Sequence, residues 1–374
     1  MPDAIQRLIN SLRNIIINKI SGEFLGGIGE PTRLNIIVSE QTGATDAITF
    51  EVNAELKFFL KFHLQDAKKE KVGHTTLFNS SSQIAEHLVH PIFDIDEPIM
   101  LVPLVNARTL HEIAESTDRE WIQSMYVNFL DAMLGLWVKT AVNRPASIKN
   151  IYTDRISTRI PQIKEGFNVE NLHGMEFIIN GSSYGTFEEI MKKFRALSQS
   201  CTIPRSVTIH GDEHANNIMV YNDAVGLDET GWVAIDYVNV TSKGDWVFSI
   251  AKMLHWWQVY YVLELAKGDE GLIDSLDWRI RVSSKHNKIN LWYSEEALSS
   301  NIPSICSILE EKVWKLARNA AKAFKEKDDD WQRRLRLALF TLLFGGASRH
   351  FEKEIRFAIP ILMGEGIKHL ISTT

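Results

Sequence analysis

The stretch His210-Gly211-Asp212-Glu213-His214-Ala215-Asn216-Asn217, with Ile235-Asp236 downstream, decides how this chain is read. It is reached through Ser206-Val207-Thr208-Ile209 and left through Asn217-Ile218-Met219-Val220, both short apolar runs that read as strands. Gly231-Trp232-Val233-Ala234-Ile235 is a third such run, and it ends at Asp236. Between the last two lies Tyr221-Asn222-Asp223-Ala224-Val225-Gly226, rich in turn formers, so a hairpin is predicted. A hairpin brings Asn217 and Asp236 together at one end. An amide oxygen and a carboxylate there suit Mg²⁺, which favours a few such oxygens beside phosphate and water. Asp212 supplies a further carboxylate, able to orient a hydroxyl.

Asp212 and Asn217 stand at the spacing H-x-D-x-x-x-x-N of the kinase catalytic loop. Phosphoryl transfer asks little covalent chemistry of a protein beyond positioning and charge stabilisation. His210-Gly211-Asp212, His214, Asn217-Ile218, Ile235-Asp236 and Gly244-Asp245 together resemble the signature of the aminoglycoside phosphotransferase and choline kinase-like superfamily. The resemblance implies a protein-kinase-like fold and phosphorylation of a small molecule with ATP. It implies Asp212 as catalytic base, with Asn217 and Asp236 as Mg²⁺ ligands. One position departs from the pattern. The superfamily often reads G-D-x-x-x-D-[IL]-A, whereas Gly244-Asp245-Trp246-Val247-Phe248-Ser249-Ile250-Ala251 has Ser249 at the second aspartate. Support of the catalytic loop is therefore expected to differ.

The same letters fit a rival. His210-Gly211-Asp212-Glu213-His214 matches H-x-x-E-H, the inverted zinc-protease motif, and would make the protein a zinc hydrolase. Both histidines would have to share one helix face. Gly211 costs such a helix roughly 1 kcal/mol, and the Val207-Thr208-Ile209 run before it favours a strand. The kinase-like reading is preferred.

Residues 34–63 carry the strongest strand signals. Leu34-Asn35-Ile36-Ile37-Val38, Ile48-Thr49-Phe50-Glu51-Val52 and Leu56-Lys57-Phe58-Phe59-Leu60-Lys61-Phe62 are three runs in the order of a kinase small lobe. The resemblance implies a loop over the phosphates and a lysine that bridges them. Gly43-Ala44-Thr45-Asp46 resembles the G-x-S-N loop of smaller kinases, which makes Gly43 and Thr45 nucleotide contacts. Lys61 fits the end of the third strand better than Lys57. A glutamate from the following helix should pair with it, and Glu70 is the first candidate and Glu86 the second. Pro98-Ile99-Met100-Leu101-Val102-Pro103-Leu104-Val105 then reads as a strand running into the interlobe hinge, where the backbone near Val105 would meet adenine.

From Leu110 onward helical periodicity dominates, over residues 121–142, 186–198, 248–265, 302–324 and 331–344. The predicted architecture is α+β and bilobal. Residues 1–105 form a small β-rich nucleotide clamp, and 106–374 a mainly helical lobe with the catalytic loop, metal site and acceptor pocket. The aromatic run His255-Trp256-Trp257-Gln258-Val259-Tyr260-Tyr261 could hold an amine or a sugar, but tryptophans on such helices mostly fill core. Glu326-Lys327-Asp328-Asp329-Asp330 reads as a solvated helix start.

Composition agrees with an enzyme of this kind. The 374 residues are 45% hydrophobic and 24% charged, ordinary for a globular protein, and too many for one small core. A net charge of −6 gives no footprint for nucleic acid. No run long enough to span a membrane is present, and two cysteines, Cys201 and Cys306, imply no disulfide framework, so a cytoplasmic setting is expected. The reading reached is an ATP- and Mg²⁺-dependent phosphotransferase acting on a hydroxyl of an amino alcohol, an aminoglycoside-like antibiotic or a sugar. The lone loop glycine and Ser249 motivate an alternative, a catalytically weak kinase-like protein that binds nucleotide as a scaffold.

Overall fold

Period-two alternation in the first hundred residues builds one antiparallel sheet. The computed structural model describes residues 35–38, 48–53, 57–62, 66–88, 92–93, 99–103, 107–114, 118–221, 231–351 and 355–372. Strands β1 (Asn35–Val38), β2 (Ile48–Asn53), β3 (Lys57–Phe62), β4 (Ile92–Phe93) and β5 (Ile99–Pro103) lie in the order β1-β2-β3-β5-β4. Lys61, on the central strand, stands opposite Thr49 of β2 and Met100 of β5. Helix α1 (Asp66–Ser80) follows β3.

The predicted hairpin forms beyond this sheet. After β6 (Ala107–Thr109), β7 (Glu176–Ile179), β8 (Ser182–Thr186) and β9 (Val207–Ile209), strands β10 (Ile218–Tyr221) and β11 (Gly231–Ala234) pair antiparallel, Ile218 opposite Ala234. β6 joins the outer side of β10, and β12 (Thr241–Gly244) pairs with β9. Asn217 sits in a 3₁₀ turn, Ala215–Asn217, just ahead of the strand to which the sequence assigned it.

A further sheet was not foreseen. β13 (Arg279–Ser283) and β14 (Lys288–Trp292) complete a four-stranded sheet in the order β13-β14-β7-β8. Its strands are four or five residues long, and β13 carries Arg279 and Arg281 on a largely exposed ribbon, so the hydrophobic period is too short to read. A signal did exist at the β7–β8 turn. Asn180 and Gly181 both have positive φ, 49° and 84°, as a two-residue hairpin turn requires.

Helices fill the rest: α2 (Arg119–Thr140), α3 (Asp154–Gly166), α4 (Phe187–Ser200), α5 (Trp246–His255), α6 (Ser304–Phe324), α7 (Asp328–Gly346) and α8 (Ala358–Ile371). From Leu337 to Gly345 every residue of α7 is buried, so α7 is a central helix wrapped by α8, α5, α3 and α4. Five-residue π turns precede α3, at Lys149–Thr153, and follow α5, at Trp256–Tyr260. Among the described residues, no helix is long and apolar enough to cross a membrane.

One buried charge cluster ties these helices together. Arg334 of α7 is fully buried, and its Nε donates to Asp245 Oδ2 at 2.9 Å. Its other nitrogens donate to the Thr202 carbonyl at 3.0 Å and to Glu326 Oε2 at 2.6 Å. The Tyr152 hydroxyl donates to the same Asp245 oxygen at 2.6 Å, and Trp246 Nε1 to Glu326 Oε1 at 3.0 Å. Asp245 Oδ1 meanwhile caps α5 by accepting from the Val247 N–H. Burial by itself would lower the Arg334 pKa, but the Asp245 and Glu326 carboxylates hold it above the ordinary value. Glu326 thus corrects the reading of residues 326–330 as a solvated run, because only Lys327 and the three aspartates are exposed. Removing one member of a buried ionic cluster strands the others, so Arg334→Ala should cost about 3–5 kcal/mol in urea unfolding. A loss within 1 kcal/mol would show that the cluster is not structurally required.

Candidate active site

The loop from His210 to Asn217 turns sharply because Gly211 can. Its φ is +82°, and a Cβ there would collide with the Asn239 carbonyl oxygen. The next residues fold back on themselves. The backbone N–H of His214 and the Asn217 side-chain amide both donate to the Asp212 carbonyl, at 2.8 and 3.0 Å. Committing Asn217 Nδ2 to the loop leaves Oδ1 as the atom that could serve a cation. The Ile235 N–H donates to the Asn217 carbonyl at 3.0 Å, which sets Asp236 beside Asn217 at the open end of the β10–β11 hairpin. Asp236 itself adopts a left-handed backbone, φ 65° and ψ 72°, a costly conformation for an aspartate that clusters at functional sites. His210 to His214 is an extended turn with no helix, so the shared helix face needed by the zinc-protease motif does not exist.

Asp212 is partly buried between a lysine and a histidine. Lys252 Nζ of α5 lies 2.5 Å from Oδ1, and His214 Nε2 lies 3.5 Å from the same oxygen. Oδ2 has only a long contact, 3.4 Å, from Asn239 Nδ2. Burial pushes the Asp212 carboxyl up, but Lys252 and His214 outweigh it and hold the pKa well below the carboxylate range. Burial pulls His214 down to about 4 despite the nearby Asp212, and pulls His255 well down too. Lys252 carried no signal in the sequence, since nothing but the fold brings α5 to the loop.

The departure at Ser249 has a structural answer. Ser249 Oγ donates to Glu213 Oε1 at 2.6 Å, and the His210 N–H donates to that same oxygen at 3.0 Å. Both side chains are fully buried. The carboxylate beneath the loop therefore comes from the loop itself, and α5 contributes a hydroxyl donor. Glu213 was not singled out for this role, although its position next to Asp212 was in view.

Of the nucleotide-side candidates, Glu70 is buried on α1, whereas Glu86 is exposed. Gly43, Thr45 and Val105 lie outside the described residues. α1 reaches the metal-side segment directly: a Cβ at Gly73 would overlap the Tyr237 carbonyl, one residue past Asp236. Trp256 and Trp257 are core residues. Trp257 Nε1 donates to the Tyr126 hydroxyl at 2.9 Å, and Trp256 stacks on His214 with centroids 4.6 Å apart.

Two outcomes are expected from these groups. The unfolded chain protonates a histidine near 6.5, but folded His214 only near 4, so the unfolded state binds the extra proton between those values. Stability should fall as pH drops through that window, by up to about 1.4 kcal/mol per unit per histidine, with His255 adding in the same sense. His214→Asn should flatten the fall in melting temperature between pH 7 and 4.5, and an unchanged slope would contradict this. For the loop support, Ser249→Asp alone should lower melting temperature by putting two carboxylates in one site, and Glu213→Gln should rescue it. The coupling in that double-mutant cycle should exceed about 1 kcal/mol, whereas simple additivity would rule out the exchange.

No family model and no curated protein sequence matches the chain. Solved structures do match. A choline kinase from Cryptosporidium parvum Iowa II has a TM-score of 0.50 at 13% identity, over 96% of this chain and 94% of that one. A thermostable mutant of the aminoglycoside phosphotransferase APH(4)-Ia, in ternary complex with ADP and hygromycin B, has a TM-score of 0.52 at 10% identity, over 96% and 99%. At such identities the likeness is one of fold. The five-stranded sheet, the β10–β11 hairpin and the helical remainder thus give this chain the bilobal, protein-kinase-like α+β fold that these solved kinase and phosphotransferase structures share.

Proposed function

We propose that this protein moves the γ-phosphoryl group of ATP to a hydroxyl of a small molecule. The observation that carries the reading is the ionised Asp212 beside Asn217 and Asp236, on a loop with kinase spacing. Residues 1–105 then form the nucleotide clamp and 106–374 the lobe with the acceptor pocket. Lys61 reaches the phosphates and Glu70 orients it. Glu70 is favoured over Glu86 by its burial on the helix after β3.

Lys252 occupies Asp212 Oδ1, so Oδ2 is the oxygen that receives the acceptor hydroxyl. As the acceptor oxygen forms its bond to the γ-phosphorus, the bond from that phosphorus to the ADP oxygen breaks, and the hydroxyl proton passes to Asp212. A carboxylate held at so low a pKa is a weak base. Its main task is to aim the hydroxyl, and it takes the proton late, as a dissociative transfer permits. Asn217 and Asp236 suit Mg²⁺, since they bring one neutral and one anionic hard oxygen to the same end of the hairpin. When bound, the ion neutralises charge on the phosphates. The scaffold alternative draws on the lone loop glycine and on Ser249, and the Glu213 carboxylate under the loop speaks against the second of these.

Asp212→Asn keeps shape and removes charge, so it should lower kcat by about 10²–10⁴-fold. ATP affinity and melting temperature should stay nearly unchanged, because the nucleotide has other contacts. Full turnover by the folded variant would refute the mechanism.

A further inference from the structure

Three guanidinium groups lie close to one another, one of them near Asp212, and the catalytic steps proposed above use none of them. Arg155, on the first turn of α3, sits with Cζ 4.5 Å from the centroid of the Phe248 ring. Phe248 and Lys252 are one turn apart on α5, and Lys252 holds Asp212. Arg155 is thus close enough to Asp212 for their charges to interact. Arg159 follows one turn later on α3, beside Gly345 of α7. Arg349 comes from the 3₁₀ turn Ala347–His350, which packs on α3. Tyr260, which ends the π turn after α5, feels both the Arg349 and the Asp212 charge, and lies so near Gly346 that a Cβ there would crowd its hydroxyl.

The cluster is positive, and Asp212 and Glu213 act on Arg155 only from beyond ion-pair distance. Arg155 and Arg349 are open to solvent. Among the described residues, no carboxylate lies within 4.0 Å of the Arg155, Arg159 or Arg349 guanidinium, and Arg159 donates instead to the neutral Gln162 at 3.1 Å. Nearby acids are spent elsewhere: Asp212 on Lys252, Glu213 on the loop, Glu264 on Lys267. Partial burial lowers the Arg155 and Arg159 pKa values; Asp212 draws Arg155 back up, and the Arg349 charge lowers both. Arginines that repel one another where solvent reaches them gain most from an oxyanion, whose geometry their planar forks match. A cationic amine would meet four positive side chains here.

We propose that the phosphate acceptor is an anion, a hydroxyl compound bearing a phosphate monoester or carboxylate group, gripped by Arg155, Arg159 and Arg349 while its hydroxyl reaches Asp212. This rests on the phosphotransferase reading and narrows it. Of the acceptors considered from sequence, the amino alcohol and the aminoglycoside are set aside, and a sugar fits if it carries an acidic group.

The test is calorimetric titration of the intact chain, without nucleotide and at fixed ionic strength, with glycerol 3-phosphate, glycerate, glycerol and choline. At least one anion should bind about tenfold or more tightly than glycerol or choline, and the two anion arms tell phosphate from carboxylate. Arg155→Gln and Arg349→Gln should each weaken that binding by about tenfold or more, with melting temperature and MgATP affinity retained. Arg155→Lys should recover only part of it, since a point charge lacks the fork. Anions that bind no better than glycerol or choline, or arginine variants that bind like the parent, would overturn the proposal. ATP-dependent turnover confined to neutral or cationic acceptors would overturn it too, while leaving the phosphotransferase reading intact. Anion binding by a chain with no affinity for MgATP would instead overturn the phosphotransferase reading, and the acceptor role with it.

Discussion

The ion cluster around Arg334 fixes where α5 begins, and the chemistry of the loop depends on that helix. Asp245 both pairs with Arg334 and caps α5, so rotation and depth of the helix are set at its first turn. One turn on, Ser249 meets Glu213, and one turn further, Lys252 meets Asp212. A buried ionic group far from any substrate thereby determines which oxygen of Asp212 is occupied. The cost of desolvating these charges is offset only by near-complete pairing, which the cluster has: each Arg334 nitrogen finds an oxygen within 3.0 Å.

Charge around the loop is arranged to keep one carboxylate ionised in a place that would otherwise neutralise it. Burial and Lys252 act on Asp212 in opposite directions, and the lysine wins. His214 and His255 respond the other way and stay neutral, which limits the crowding of positive charge at the same spot. The loop support follows a similar economy. A glutamate next to Asp212 reaches back to the His210 N–H, and a serine on α5 holds it.

What the sequence made legible is what lies close in sequence. The turn at Gly211, the Asp212–Asn217 spacing and the β10–β11 hairpin are local, and their letters carry the geometry. Lys252 bonds a residue 40 positions away and Arg334 one 89 positions away, and no pattern in a single chain predicts such pairs. Glu326 looked like part of a solvated run because its neighbours are exposed aspartates; only the fold reveals that α7 turns it inward. The β7, β8, β13 and β14 strands escaped because each is only four or five residues long, β8 is mostly serine, glycine and threonine, and β13 alternates with arginine. The arginine cluster draws on two segments far apart in the chain, α3 and the turn Ala347–His350, so it too emerges only in three dimensions.

The close approach at Gly73 has a mechanical meaning. α1 carries Glu70, and at Gly73 its backbone rests on the carbonyl just past Asp236. Sliding the helix by one residue would put Val72 or His74 where not even a methyl group fits. Rotating it meets the same obstacle. The Glu70 helix and the Asp236 segment therefore travel as one piece, a latch with no play. A slide of this helix along its own axis is the motion that the contact opposes.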